Sequence, residues 1–114
     1  MAVAMYVMCF LNADQAYRGH VAGSNSEHLE AASHACVPYF RDIANLGMVI
    51  RGRCLACRKE YVARFGGSFE LAIAVDEETM EARFVGVVCD ECAKLPVEIK
   101  SDALRARFGP TRVN

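Results

Sequence analysis

The chain has 114 residues, 54% of them apolar and 24% charged, with a formal net charge of −1. That length suits one domain and hardly two. The composition excludes a disordered chain, and the near-zero charge excludes a molecule that binds nucleic acid over its whole surface.

The opening stretch, "MAVAMYVMCFLNA", is uncharged but too short to cross a bilayer as a helix. It lacks the basic start of a secretory signal, so a cytoplasmic location is expected. Six cysteines in a reducing compartment point to metal ligands or buried thiols ahead of disulfides. Within the opening stretch, Val3 to Leu11 is rich in apolar, β-branched and aromatic residues and predicts a strand buried on both faces. Such a strand could equally lie at a sheet edge and pair between subunits. Residues 12 to 26, ending in "GHVAGSNS", read as a loop.

Ser26 is placed to cap a helix beginning "EHLEAASHAC". Its apolar stripe runs through Leu29, Ala32, Cys36, Tyr39, Phe40 and Ile43. Pro38 lacks a backbone donor, so the helix is expected to kink or break near Val37. "PYFRDIANLG" continues as a second helical piece, with Gly47 as its C-cap. The period then changes to two. "MVIRGRC" and "KEYVARF" predict strands, with a turn at Gly66-Gly67. In "SFELAIAVD", Phe69, Leu71, Ile73 and Val75 fall on one face. "EET" turns the chain, and "MEARFVGVVC" runs back antiparallel. "SDALRARFG" predicts a short final helix capped by Ser101.

Two segments carry the chemistry. "RCLACRK" holds Cys54 and Cys57, "VVCDECAKLP" holds Cys89 and Cys92, and 31 residues separate the pairs. Each two-residue gap lets one tight turn aim two sulfurs at one ion, and four thiolates match a tetrahedral four-cysteine zinc site. Closing the intervening loop costs only about 3 kcal/mol, against an apparent ~10–16 kcal/mol from a structural zinc ion. An iron ion in a rubredoxin-like site would use the same ligands. A dithiol redox couple fits less well, because that chemistry uses one such motif beside a βαβ unit. Residues 50–95 resemble the zinc-ribbon and treble-clef class. Pro96 cuts short the helix that would follow the second hook in a treble clef, which favours the ribbon-like form.

Basic residues Arg51, Arg53, Arg58, Lys59 and Arg64 cluster around the first hook, while Asp76, Glu77, Glu78, Glu81, Asp90 and Glu91 make the following hairpin acidic. The basic set either offsets the −2 charge of a zinc tetrathiolate or contacts an acidic partner or phosphate. A rival reading starts from His28-Leu29-Glu30, an H-x-E ahead of "CLACRKEYVARF". That combination resembles zinc-dependent nucleoside and nucleobase deaminases. The resemblance implies His28, Cys54 and Cys57 as ligands and Glu30 as the proton shuttle. Arg53 stands where that family has proline, and Cys89 and Cys92 would have no role. His20, His28 and His34 read as ordinary surface or partly buried histidines, and Cys9 and Cys36 as core thiols.

The sequence therefore predicts a single α+β domain. An N-terminal strand and kinked helix (1–49) pack on a β-rich zinc ribbon (50–95), and a tail (96–114) carries a short helix. Its expected role is a non-enzymatic module or regulator with a structural Zn2+ at Cys54, Cys57, Cys89 and Cys92. Its partner is a protein or, with the basic tail "LRARFGPTR" in mind, a nucleic acid.

Overall fold

The computed structural model describes residues 5–22, 26–108 and 111–113. In chain order the elements are β1 (Tyr6–Leu11), α1 (Ala13–Ala22), α2 (Glu27–Leu46), β2 (Ile50–Arg53), β3 (Glu60–Ala63), β4 (Glu70–Asp76) and β5 (Ala82–Val88). A 3-10 turn at Cys92–Lys94, α3 (Val97–Phe108) and β6 (Thr111–Val113) complete the chain. The result is the expected mix of helices and mainly antiparallel sheet.

Four strands form the main sheet in the order β5-β4-β1-β6, and β2 pairs with β3 in a separate hairpin. The alternation in β4 decides how the layers form. Phe69, Leu71, Ile73 and Val75 face one core, which α2 covers with Ala32, Cys36, Val37, Phe40 and Ile43. Ala72 and Ala74 face the other core, shared with Met8, Phe10, Leu55, Leu104 and three of the hook cysteines. The sheet thus has α2 on one side and the hooks with α3 on the other.

β1 is buried on both faces as predicted, but it is not an edge strand. It pairs antiparallel with β4 from Tyr6↔Asp76 to Leu11↔Leu71, and β6 lies parallel on its other side. A strand apolar on both faces is worth most in the sheet interior, where water reaches neither face. The N-terminal strand is therefore built into the same sheet as the hairpin of the cysteine-bearing segment.

Three further corrections concern helices. Residues 13–22, expected to be loop, form α1. Asn12 and Gln15 cap it reciprocally: the Gln15 amide donates to Asn12 Oδ1 and the Asn12 amide to Gln15 Oε1, each at 2.9 Å. Gly19, which suggested a loop, instead permits close helix packing. A Cβ there would lie 2.1 Å from Ser33 Oγ on α2. The C-terminal helix begins at Val97, directly after Pro96, so Ser101 is a buried second-turn residue and not its cap.

Helix α2 begins and ends as expected. The Ser26 side chain accepts from the Leu29 amide, and Gly47 closes the helix in the left-handed region at φ 65°. The expected break at Pro38 is absent, and α2 runs unbroken through it. Burying the continuous face from Ala32 to Ile43, at roughly 1.5–3 kcal/mol per large side chain, outweighs the ~3 kcal/mol cost of an interior proline. Pro38 itself is exposed and packs little. Pro38→Ala is therefore expected to restore a helical donor and stabilise the protein by about 1–3 kcal/mol, raising the thermal midpoint by several degrees. An unchanged or lower midpoint in a calorimetric scan would show that the helix has adapted fully to the proline.

Candidate metal centre

Each hook grows from the end of a strand. After β2, the Arg58 amide donates to the Cys54 carbonyl and the Cys54 amide to the Lys59 carbonyl, both at 2.9 Å. Arg58 adopts φ 70°, which turns the chain back into β3 and sets Arg53 opposite Glu60. After β5, the Ala93 amide donates to the Cys89 carbonyl at 2.8 Å and the Leu95 amide to that of Cys92 at 3.0 Å. This single 3-10 turn ends before Pro96, and α3 begins directly after that proline.

Backbone donors tie the first hook to β5 and to the second hook. The Leu55 amide donates to the Val87 carbonyl at 3.0 Å, and the Cys89 amide to Cys54 Sγ at 3.3 Å. Leu55 lies directly over Gly86, where an added Cβ would stand only 3.0–3.1 Å from three of its side-chain carbons. The glycine therefore sets how closely the first hook approaches β5.

The four sulfurs of Cys54, Cys57, Cys89 and Cys92 all lie within 4.8 Å of one another. The Cys57 and Cys89 sulfurs are 3.9 Å apart. A tetrahedral zinc site with Zn–S bonds of about 2.3 Å requires sulfurs about 3.8 Å apart, so the arrangement fits the ion with little movement. No disulfide joins any of the described cysteines, and the Cys57–Cys89 spacing far exceeds the ~2.05 Å of such a bond. Cys54, Cys89 and Cys92 are buried and Cys57 is exposed, so only one corner of the cluster meets water. Among the described residues, no other group of three or more histidine, cysteine or acidic side chains converges in this way.

The thiols are not equivalent. Burial raises the Cys54 pKa, but the backbone amides of Cys57, Cys89 and Ala56 outweigh it and bring the thiol to about 7. Burial pushes the Cys89 and Cys92 thiols up. A cation would supply the charge that lets these two ionise.

Two polar contacts anchor the second hook. The Tyr61 hydroxyl, on β3, donates to Asp90 inside the hook. Burial and then Asp90 hold the phenol well above its usual range. Lys100 Nζ, on α3, donates to Glu70 Oε1 at 2.6 Å and to the Ala93 carbonyl at 3.2 Å. It also sits 5.1 Å above the Phe10 ring. Neither contact is legible in the sequence. Asp90 reads there only as part of an acidic run, and no spacing rule links Glu70 to Lys100.

The basic set divides. Arg51, Arg53 and Arg58 line one groove between β2 and β5. Lys59 is exposed on the same hairpin outside it. Arg64 lines a different depression, with Tyr17, Phe40, Ile43 and Phe65. The deaminase-like set does not assemble. His28 starts α2 on the opposite side of the sheet, where its carbonyl receives the Cys9 thiol at 3.9 Å. Glu30 faces His34, 3.7 Å away on the next turn. Cys9 and Cys36 are core thiols as expected, and burial, then the neighbouring Cys9, pushes Cys36 up to about 12. His28 is half-buried and His34 exposed, while the His20 side chain lies outside the described residues.

No family model, curated protein or solved structure matches the chain. The class that fold and site define is thus a coarse one: a mixed α/β chain with a four-cysteine cluster consistent with a zinc-ribbon-like metal site. No helix among the described residues is long and apolar enough to cross a membrane.

Proposed function

We propose that this protein is a small non-enzymatic zinc-binding module that works by contacting another macromolecule, a protein before a nucleic acid. Cys54, Cys57, Cys89 and Cys92 hold a structural Zn2+. The ion locks the β2–β3 hairpin against β5 and so fixes the surface that the hairpin presents. The observation that carries this reading is the convergence of four sulfurs from two hooks. Four protein ligands fill a tetrahedron and leave no open position for a water or substrate, which is the pattern of structural sites. The near-neutral charge weighs against phosphate-driven binding as the main activity.

Metal analysis of the purified chain tests it. The expected content is one zinc per chain, with His28→Ala unchanged and Cys89→Ser depleted by more than about tenfold in affinity. Zinc lost from His28→Ala and kept by Cys89→Ser would return the deaminase-like ligand set to first place. Iron in place of zinc would make the site rubredoxin-like.

A further inference from the structure

A groove of about 350 Å3 runs between the β2–β3 hairpin and the main sheet. Arg51 and Arg53 of β2 and Arg58 of the first hook line one wall, and Phe84, Val85 and Val87 of β5 the other. We propose that this groove binds an extended acidic peptide segment with carboxylates at alternate positions. The proposal rests on the reading of the protein as a zinc-fixed interaction module and names the partner chemistry of that module.

Four observations converge on this ligand. Arg51 and Arg53 are two apart on one strand, so their side chains leave the same face about 6.6 Å apart. An extended partner carries alternate side chains at the same spacing. Second, among the described residues β2 pairs only with β3, so its other edge is open, while Leu55 already covers the hook end of β5 at Gly86 and Val87. Unpaired strand edges recruit extended backbone. The bond from the Leu55 amide to the Val87 carbonyl closes the groove at its hook end.

Third, the positive charge is largely uncommitted. Arg53 reaches the Arg58 carbonyl at 3.1 Å and Glu60 at 3.8 Å, but Arg51 and Arg58 make no ion pair among the described residues. Fourth, Arg58 sits at φ 70°, where a glycine or asparagine would be less strained. A long cationic side chain is held there at a backbone cost. Single-stranded nucleic acid is the poorer occupant, because its bases stack on free aromatic rings. The groove's Phe84 is already stacked against Tyr39, with ring centroids 4.8 Å apart.

The test uses the zinc-loaded full chain and a fluorescein-labelled peptide of alternating glutamate and valine, roughly eight residues long to match strands of ordinary length. Anisotropy is read at low salt and at about 150 mM. The expected result is saturable binding that weakens with salt. Arg51→Gln with Arg58→Asn, which leaves Arg53 on the Arg58 carbonyl, should weaken it by roughly tenfold or more. The charge-matched pair Lys59→Gln with Arg64→Gln should leave it within about threefold. Metal content is measured on every sample. A protein with one zinc per chain that ignores the peptide overturns this proposal and leaves the metal reading standing. Equal weakening by both double variants, or tighter binding of an oligothymidylate than of the peptide, also overturns it. A chain without metal fails the underlying reading instead.

Discussion

Cys92→Ser, or exhaustive chelation of the wild-type protein, is expected to remove at least roughly 5 kcal/mol of stability and to unravel the hook side of the molecule first. A structural zinc ion contributes an apparent ~10–16 kcal/mol at neutral pH, and a domain of this size has only ~5–15 kcal/mol in total. The cysteines are themselves core residues: Cys54, Cys89 and Cys92 pack with Leu55, Val88 and Leu104 beneath the sheet. Without the ion, thiols within 4.8 Å of one another share a space in which they cannot all ionise. The opposite core, between β4 and α2, contains none of these four residues. Hydrogen exchange should therefore show the amides of Leu55, Arg58, Cys89 and Ala93 losing protection before those of β4. A Cys92→Ser protein with a wild-type thermal midpoint and protected hooks would contradict the expectation.

The second large effect lies at Glu70 and Lys100. The pair is 2.6 Å apart, with side chains 11% and 3% exposed. Glu70→Leu leaves the Lys100 ammonium buried against Phe10 and the Ala93 carbonyl with no anion beside it. Breaking one half of such a pair costs ~3–5 kcal/mol. Replacing both partners, as in Glu70→Leu with Lys100→Met, should recover most of that loss, since an apolar pair of similar volume avoids the desolvation penalty. Urea denaturation of the two single variants and the double variant gives the coupling directly. A double variant no more stable than Glu70→Leu alone would mean that the contact of Lys100 with the Ala93 carbonyl, and not the ion pair, holds α3 to the hook.

These contacts also mark where the sequence was silent. Local chemistry was legible. Ser26 and Gly47 mark the ends of α2, and the alternation of Phe69, Leu71, Ile73 and Val75 marks β4 and its buried face. The double C-x-x-C predicts four converging sulfurs because a tight turn dictates where each pair points. What escaped was set by distant partners. Gly19 reads as a loop breaker until Ser33 is known to press against it. The Asn12–Gln15 capping box was a genuine signal hidden by the glycine that follows. Nothing local tells that β1 lies between β4 and β6, or that Lys100 reaches Glu70 thirty residues back. The basic run around the first hook was visible, but only the pairing of β2 with β3 separates Arg51, Arg53 and Arg58 from Arg64.

Zinc-edge X-ray absorption on the purified chain measures the proposed centre itself. The expected spectrum fits four sulfur scatterers at about 2.3 Å and no nitrogen or oxygen in the first shell. A first shell with fewer than four sulfurs, or with a nitrogen from histidine, would contradict the assignment of Cys54, Cys57, Cys89 and Cys92 as one ligand set.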